Sequence, residues 1–150
     1  MRACLTMTAI QRVAGVATAV LAAAVAIPAS AAATPNSGIE ATTMVQSTLD
    51  GRDFVTRELT IAPGGTTGWH YHPGQVFGVI KQGTLTHYRG DCSVDGVYTA
   101  GDAISEGSGD GYIHEGRNEG PEPVVMWVLY IKPAGSPLAV DMPNPGCPFE

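Results

Sequence analysis

Positive charge is scarce in this sequence. Among its 150 residues there are 8 lysines and arginines against 14 aspartates and glutamates, and the formal net charge is −6. Proteins that bind nucleic acid or anionic lipid do so largely through clustered lysine and arginine. We therefore expect no nucleic-acid partner, and we interpret the acidity as a contribution to solubility.

A helical apolar period is also missing after residue 33. In its place are short runs of β-branched and aromatic residues, bounded by glycine, proline, aspartate and asparagine. Turn sequences such as Asp50-Gly51 join these runs, because glycine accepts a positive φ without a steric clash. The pattern predicts an all-β fold, a small antiparallel β-barrel or jelly roll. The predicted strands are 44–49, 54–61, 67–72, 75–81, 84–88, 97–99, 103–106, 111–115 and 124–131.

The first 33 residues have the pattern of a secretory signal peptide. They contain Arg2 and Arg12 but no acidic residue, then an apolar run at 13–27, Pro28 and a series of small residues. A membrane anchor is the alternative, but the run is shorter than the roughly 20 residues that a spanning helix needs. We expect an exported protein, secreted or retained in the cell envelope or periplasm, without stable membrane insertion after cleavage.

Composition divides the rest of the chain into three parts. A flexible N-terminal segment is predicted at 34–43, a β-barrel at 44–133, and a proline-rich C-terminal tail at 134–150. The length suits one domain. Beyond the leader, no repeats indicate a further unit.

Cysteine is rare, with three in the sequence. Removal of the leader leaves Cys92, in a polar loop, and Cys147, in the tail. A pair of cysteines in an exported protein indicates a disulfide, which would fix the tail to the barrel. A metal–thiolate site is the alternative, but neither cysteine lies beside the histidines discussed next.

Three of the four histidines are arranged as metal ligands would be. His70 and His72 are separated by one residue, so on a strand their imidazoles project to the same face. His114, on a later predicted strand, would complete a face of three ligands. Neutral imidazole suits zinc, copper, nickel and iron. We therefore predict a divalent transition metal ion at these histidines and leave its identity open.

Two segments carry a family resemblance. Residues 64–83 resemble the first motif of the cupin superfamily, in which a glycine leads to His-x-His and later to a glycine at a turn. Residues 101–118 resemble the second motif, in which a glycine introduces a strand that ends in a turn, a histidine, three residues and an asparagine. The chain is similar to secreted, single-domain proteins of the cupin-2 type. The resemblance implies a cupin barrel, a small-molecule substrate or ligand, and a possible homodimer.

The sequence departs from the first motif at the glutamate ligand. That residue usually follows the second histidine by four or five positions, where Val76 and Phe77 stand here. We therefore expect a centre of three imidazoles without a carboxylate, as in His₃ zinc sites. Gln75 is a candidate extra ligand through its amide oxygen. The alternative is a degenerate pocket that binds an organic ligand without a metal.

The alternation of side chains along the predicted strands indicates which other polar residues face the pocket. His87 and Glu106 are pocket candidates, the first as a proton carrier and the second as a base. For His87 we favour the alternative of a rim or surface position. Glu115 follows His114 directly and is expected to point outward.

Both tryptophans are expected to be buried. Trp127 lies in the run 124–131, which is apolar on both faces, and we predict it to be core rather than a platform for substrate stacking. Trp69 precedes His70 and is predicted to pack away from the metal face.

Two functional hypotheses follow. The first is an exported metal-binding cupin-domain protein that acts as a metal-dependent enzyme on a small oxygenated organic substrate, by dioxygenase-like or hydrolytic chemistry. The second is a non-enzymatic module that binds a metal or small ligand in a degenerate cupin site. A cupin barrel hosts unrelated functions, so the fold alone does not choose between them.

Overall fold

The computed structural model describes residues 32–149, so the predicted signal peptide lies almost entirely outside the described residues. All regular secondary structure in the described part is strand, which confirms the all-β prediction. No helix within residues 32–149 is long and apolar enough to cross a membrane. The strands are β1 (Ser37–Leu49), β2 (Arg52–Thr66), β3 (His70–Tyr71), β4 (Gln75–Gln82), β5 (Thr84–Arg89), β6 (Val94–Thr99), β7 (Ala103–Glu106), β8 (His114–Arg117), β9 (Val124–Pro133) and β10 (Val140–Asp141).

The strands form a nearly closed antiparallel barrel. Along its main path they follow the order β10-β3-β8-β2-β9-β4-β7, while β1 pairs with β2, and β5 pairs with both β6 and β8. Strand β2 is long enough to pair with β1, β8 and β9 along different parts of its length. This closure brings β3, β5, β7 and β8, which are distant in sequence, around one interior.

The β1–β2 hairpin shows how a local sequence sets the register. Asp50 and Gly51 both have positive φ, 49° and 73°, and Leu49 pairs with Arg52. Two such residues form the tight turn whose twist matches that of antiparallel strands, as predicted. However, β1 begins at Ser37, inside the segment 34–43 for which no strand was predicted. Nearly all of its side chains are exposed, so no apolar alternation marked its start.

The barrel core is formed by buried aliphatic residues from β2, β4, β5, β7 and β9 together with Tyr130. Strand β9 alternates strictly, since Met126 is 6% exposed and Trp127 is 44% exposed. The prediction that Trp127 is core is therefore wrong. Its indole Nε1 donates to Glu58 Oε2 at 2.8 Å, and Lys81 Nζ lies 4.3 Å from its ring centroid. The outer face of this antiparallel sheet points to solvent although its residues are apolar.

The C-terminal residues are held against the barrel. Cys92 and Cys147 form a disulfide with a Cα–Cα distance of 5.4 Å, which is the predicted pairing. Strand β10, which the sequence did not indicate, pairs with β3 so that Asp141 lies opposite His70. Trp69 is fully buried, as predicted, and its ring packs 6.1 Å from that of Phe149.

Candidate metal centre

Two short strands bring the three predicted ligands together. His70 in β3 is the register partner of His114, the first residue of β8, and His72 follows β3 directly. All three side chains are buried, and they offer donor atoms that lie within 4.8 Å of one another. The Nε2 atoms of His70 and His72 are 3.1 Å apart. The structure therefore brings together His70, His72 and His114, the three ligands that were predicted from the sequence.

The hydrogen bonds of these imidazoles fix their tautomers. In each ring Nδ1 contacts a main-chain carbonyl oxygen, which can only accept a hydrogen bond, so Nδ1 carries a hydrogen and Nε2 is the nitrogen left to face the interior. The pairs are His70 with Gly68 at 2.8 Å, His72 with Leu138 at 2.7 Å, and His114 with Tyr112 at 3.0 Å. Such contacts orient metal-ligating histidines.

The inward-facing nitrogens suit a cation. The Nε2 atoms of His70 and His72 lie 3.1 Å apart, and both rings already use Nδ1 to donate to a carbonyl oxygen. The Nε2 of His114 is buried without a hydrogen-bond partner among the described residues. Converging lone pairs repel unless a proton or metal ion lies between them, and imidazole nitrogen is a good ligand for transition metals. The residues present fit a metal ion.

A carboxylate completes this group, contrary to expectation. Glu106, the last residue of β7, places Oε2 3.0 Å from His72 Nε2 and 3.6 Å from His114 Nε2. Burial raises the pKa of Glu106, but its contacts with His114, His72 and His87 lower it more, and the net pKa is well below the usual value. Glu106 therefore lies in the pocket, as one of the two predicted pocket candidates, and the expectation of a centre without a carboxylate is corrected because β7 supplies one from another part of the chain.

His70 is held in its ligating form. Burial lowers its pKa most, and the neighbouring His114 and His72 lower it further. The Gly68 carbonyl and Glu106 oppose this shift only in part, and the resulting pKa is about 3. The imidazole is therefore neutral at physiological pH, as a metal ligand must be.

His87 lies in the interior, not on the rim. It is 1% exposed, its Nδ1 lies 3.1 Å from Asp95 Oδ2, and its ring centroid is 5.0 Å from that of His114. The favoured prediction of a rim position was wrong because β5 pairs directly with β8, where His87 lies opposite Gly116 and close to His114. The position of His87 agrees with the other prediction, that it is a pocket residue.

Two predicted polar residues lie elsewhere. Gln75 is exposed at the start of β4 on the same face as Phe77, so the structure does not bring it to the histidines, and its assignment as a ligand is corrected. Glu115 points away from the centre, as expected, but it is buried rather than exposed. It accepts hydrogen bonds from Thr66 Oγ1 and from Arg117 Nη1, the latter at 2.7 Å.

A cavity of about 240 Å³ opens onto His70 and His72. Its wall includes Arg57, whose Nη2 donates to the Ala41 carbonyl at 3.2 Å and whose Nε is buried without a partner among the described residues. Tyr130 also lines it, with its ring 5.6 Å from that of His72. Burial raises the pKa of Tyr130 well above its usual value, so the phenol stays neutral. No motif in the sequence indicated Arg57 or Tyr130, since both lie in otherwise ordinary strands.

Known proteins share this architecture. Among solved structures, a cupin domain from Bordetella pertussis Tohama I is 26% identical, with 63% of this chain and 94% of that chain covered and a TM-score of 0.53. KdgF from Halomonas sp. is 16% identical, with 62% and 78% covered and a TM-score of 0.51. A recombinant oxalate oxidase in complex with glycolate is 22% identical, with 69% and 54% covered and a TM-score of 0.55. This chain therefore spans about half of that oxidase.

Sequence similarity to a known family agrees with the structural similarity to cupin domains. No curated protein matches the chain significantly. The model of the family described as "Cupin domain" matches residues 57–131, which is half of the chain and includes both histidine motifs. Together with the barrel and the histidine centre, this match shows that the chain belongs to the cupin domain family.

Proposed function

We propose that this protein is an exported, metal-dependent enzyme that acts on a small oxygenated organic acid. The observation that carries the proposal is the cavity itself, because its wall combines the buried imidazoles of His70 and His72 with the side chain of Arg57. Such a combination of convergent polar groups in a concave site is the usual form of a small-molecule site.

The ligand set defines what the centre would hold. His70, His72, His114 and Glu106 present three imidazole nitrogens and one carboxylate oxygen, which suits zinc, copper, nickel or iron. When bound, a divalent ion would supply Lewis-acid chemistry and a coordination position for substrate or water. The main-chain carbonyls behind the three rings hold the ligands in position before any ion binds.

The wall of the cavity indicates the substrate class. Arg57 supplies a permanent positive charge and a fork of hydrogen-bond donors that matches a carboxylate. Leu59 and Leu138 line the same space and exclude water from the remainder of the substrate. The volume of about 240 Å³ accommodates only a small molecule. The oxalate oxidase with a similar fold was solved with glycolate, a carboxylate of this kind, which supports the choice of probe.

Export is part of the proposal. It rests on the predicted signal peptide at 1–33, and the Cys92–Cys147 disulfide supports it because disulfides persist mainly outside the reducing cytosol.

The first experiment is elemental analysis of purified protein together with calorimetric titration of glycolate. We expect near-stoichiometric transition metal in the wild type and little in His70→Ala/His72→Ala. Glycolate should bind the loaded protein and bind far more weakly after chelation. Arg57→Ala should reduce glycolate affinity without changing metal content, and Arg57→Lys, which keeps the charge but not the fork, should retain part of it. Metal that stays in the double variant would refute the site.

Turnover separates the enzyme from the second candidate, a non-enzymatic binding module. Loaded protein is incubated with glycolate and related small hydroxy and keto acids, and oxygen consumption and substrate loss are measured. Consumption that disappears after chelation supports the enzyme. Metal-dependent binding of these acids without any turnover would favour the binding module instead.

A further inference from the structure

His87 is the one histidine that the motifs leave unassigned, yet its surroundings repeat those of the other three. Its Nδ1 faces an oxygen acceptor, Asp95 Oδ2, at 3.1 Å. Asp95 is in turn held by Arg89, whose Nη2 lies 2.5 Å from Oδ1, and by the hydroxyl of Tyr112 at 3.1 Å. An ionised carboxylate paired with arginine only accepts hydrogen bonds, so Nδ1 of His87 is the donor.

This arrangement leaves Nε2 of His87 as the nitrogen that faces the centre. That atom is buried and has no hydrogen-bond partner among the described residues. It lies 3.6 Å from Glu106 Oε1. In a neutral ring this nitrogen presents a lone pair to a carboxylate oxygen, which is unfavourable in a low-dielectric interior unless a cation lies nearby. The paired Nε2 atoms of His70 and His72 present the same situation.

Glu106 links the two sides. Its Oε2 contacts the ring nitrogens of His72 and His114, and its Oε1 faces His87. Donor atoms of His87, Glu106 and His114 lie within 4.8 Å of one another, as those of His70, His72 and His114 do. The two groups share His114, so a single ion near its Nε2 is adjacent to both.

We propose that His87, held in place by Asp95, is a fourth imidazole ligand of the metal centre. The proposal rests on the proposed metal site and enlarges it to four histidines and Glu106. His87 would then contribute a ring nitrogen beside those of His70, His72 and His114 and the carboxylate of Glu106, and the bound ion would supply Lewis-acid chemistry next to the cavity that His70 and His72 line. The competing arrangement is a purely orienting role, in which His87 carries a hydrogen on Nε2 and donates it to Glu106.

The direct test is nuclear magnetic resonance of the wild-type protein, labelled with ¹⁵N in histidine and loaded with ¹¹³Cd²⁺. Each nitrogen bonded to cadmium is split by one-bond coupling to ¹¹³Cd. We expect the Nε2 resonances of all four histidines to be split, and His87→Gln provides the assignment of the fourth. Splitting at three histidines, with an unsplit His87 Nε2, would overturn this inference while leaving the metal site intact. No splitting at any histidine would overturn both.

Affinity provides a second readout. Competition with a chromophoric chelator measures Cd²⁺ binding in the wild type, Asp95→Asn and His87→Gln. Partners that orient a ligand typically change metal affinity by about 10–100-fold, and we expect Asp95→Asn to show a loss in this range and His87→Gln at least as much. Tyr88→Phe is the matched control, because Tyr88 adjoins His87 but bonds to Glu119 outside the centre. Unchanged affinity in His87→Gln would contradict a ligand role.

Discussion

The metal-free protein is expected to lose stability as the pH falls from 7.5 to 5, and His70 is expected to cause about 2 kcal/mol of that loss. The pKa of His70 is about 3 in the folded protein, against 6.5 for an unperturbed histidine. A depressed pKa means that the unfolded chain takes up the proton first. The stability tied to His70 is therefore present above pH 6.5 and declines as the pH falls toward 3.

The size of the expected loss follows from the pH range between the two pKa values of His70, 6.5 in the unfolded chain and about 3 in the folded protein. Each pH unit over which only the unfolded state is protonated changes the free energy of unfolding by about 1.4 kcal/mol. Between pH 6.5 and 5 this amounts to about 2 kcal/mol, and the full window to pH 3 corresponds to about 5 kcal/mol. The physical cause is burial, since desolvation opposes the charged imidazole and nearby His72 and His114 add to the effect.

The assay is urea unfolding of chelator-treated protein at pH 7.5 and 5. The control variant is His70→Asn, whose amide can still donate to the Gly68 carbonyl but does not titrate. We expect the wild type to lose about 2 kcal/mol more than the variant over this range. Equal losses in the two proteins would refute the argument, because the pH dependence would then come from other groups.

Three further predictions concern the metal, the disulfide and the outer face. His72→Ala should lose most bound metal by elemental analysis yet retain the far-ultraviolet circular dichroism of the barrel, and an unfolded variant would contradict this. Replacing both Cys92 and Cys147 with alanine should lower the free energy of unfolding in guanidinium by about 4 kcal/mol, given a sequence separation of 55; a change below about 1 kcal/mol would argue against the chain-entropy account. Met126→Ala should destabilise by about 2–5 kcal/mol, whereas half-exposed Trp127→Ala should cost much less, and equal costs in urea unfolding would contradict the assigned faces.

Local patterns account for the parts of the site that depend on one strand. The spacing of His70 and His72 was sufficient to place both rings on one face, because strand geometry has a period of two. His114 required the family resemblance, since no local rule connects β3 to β8. The disulfide could be predicted because only two cysteines lie outside the leader. The turn at Asp50 and Gly51 was equally local.

The errors at the centre arose because strand neighbours are not sequence neighbours. Glu106 and His87 were pocket candidates, but only the pairing of β7 and β5 within the barrel shows that Glu106 supplies a carboxylate beside the histidines and that His87 is buried there. The Trp127 prediction was wrong for a different reason: an apolar run indicates burial on both faces, whereas among the described residues Trp127 is 44% exposed on the outer face.

Composition and short-range spacing account for the all-β class, the hairpin turn, the paired cysteines and the His-x-His face, since each depends on residues a few positions apart or on composition. Strand pairing across the barrel produces the rest: two groups of buried side chains that share His114, with Arg57 and Tyr130 lining the cavity beside His70 and His72. No short segment contains this information, because barrel closure sets which strands meet, and closure is a property of the whole chain.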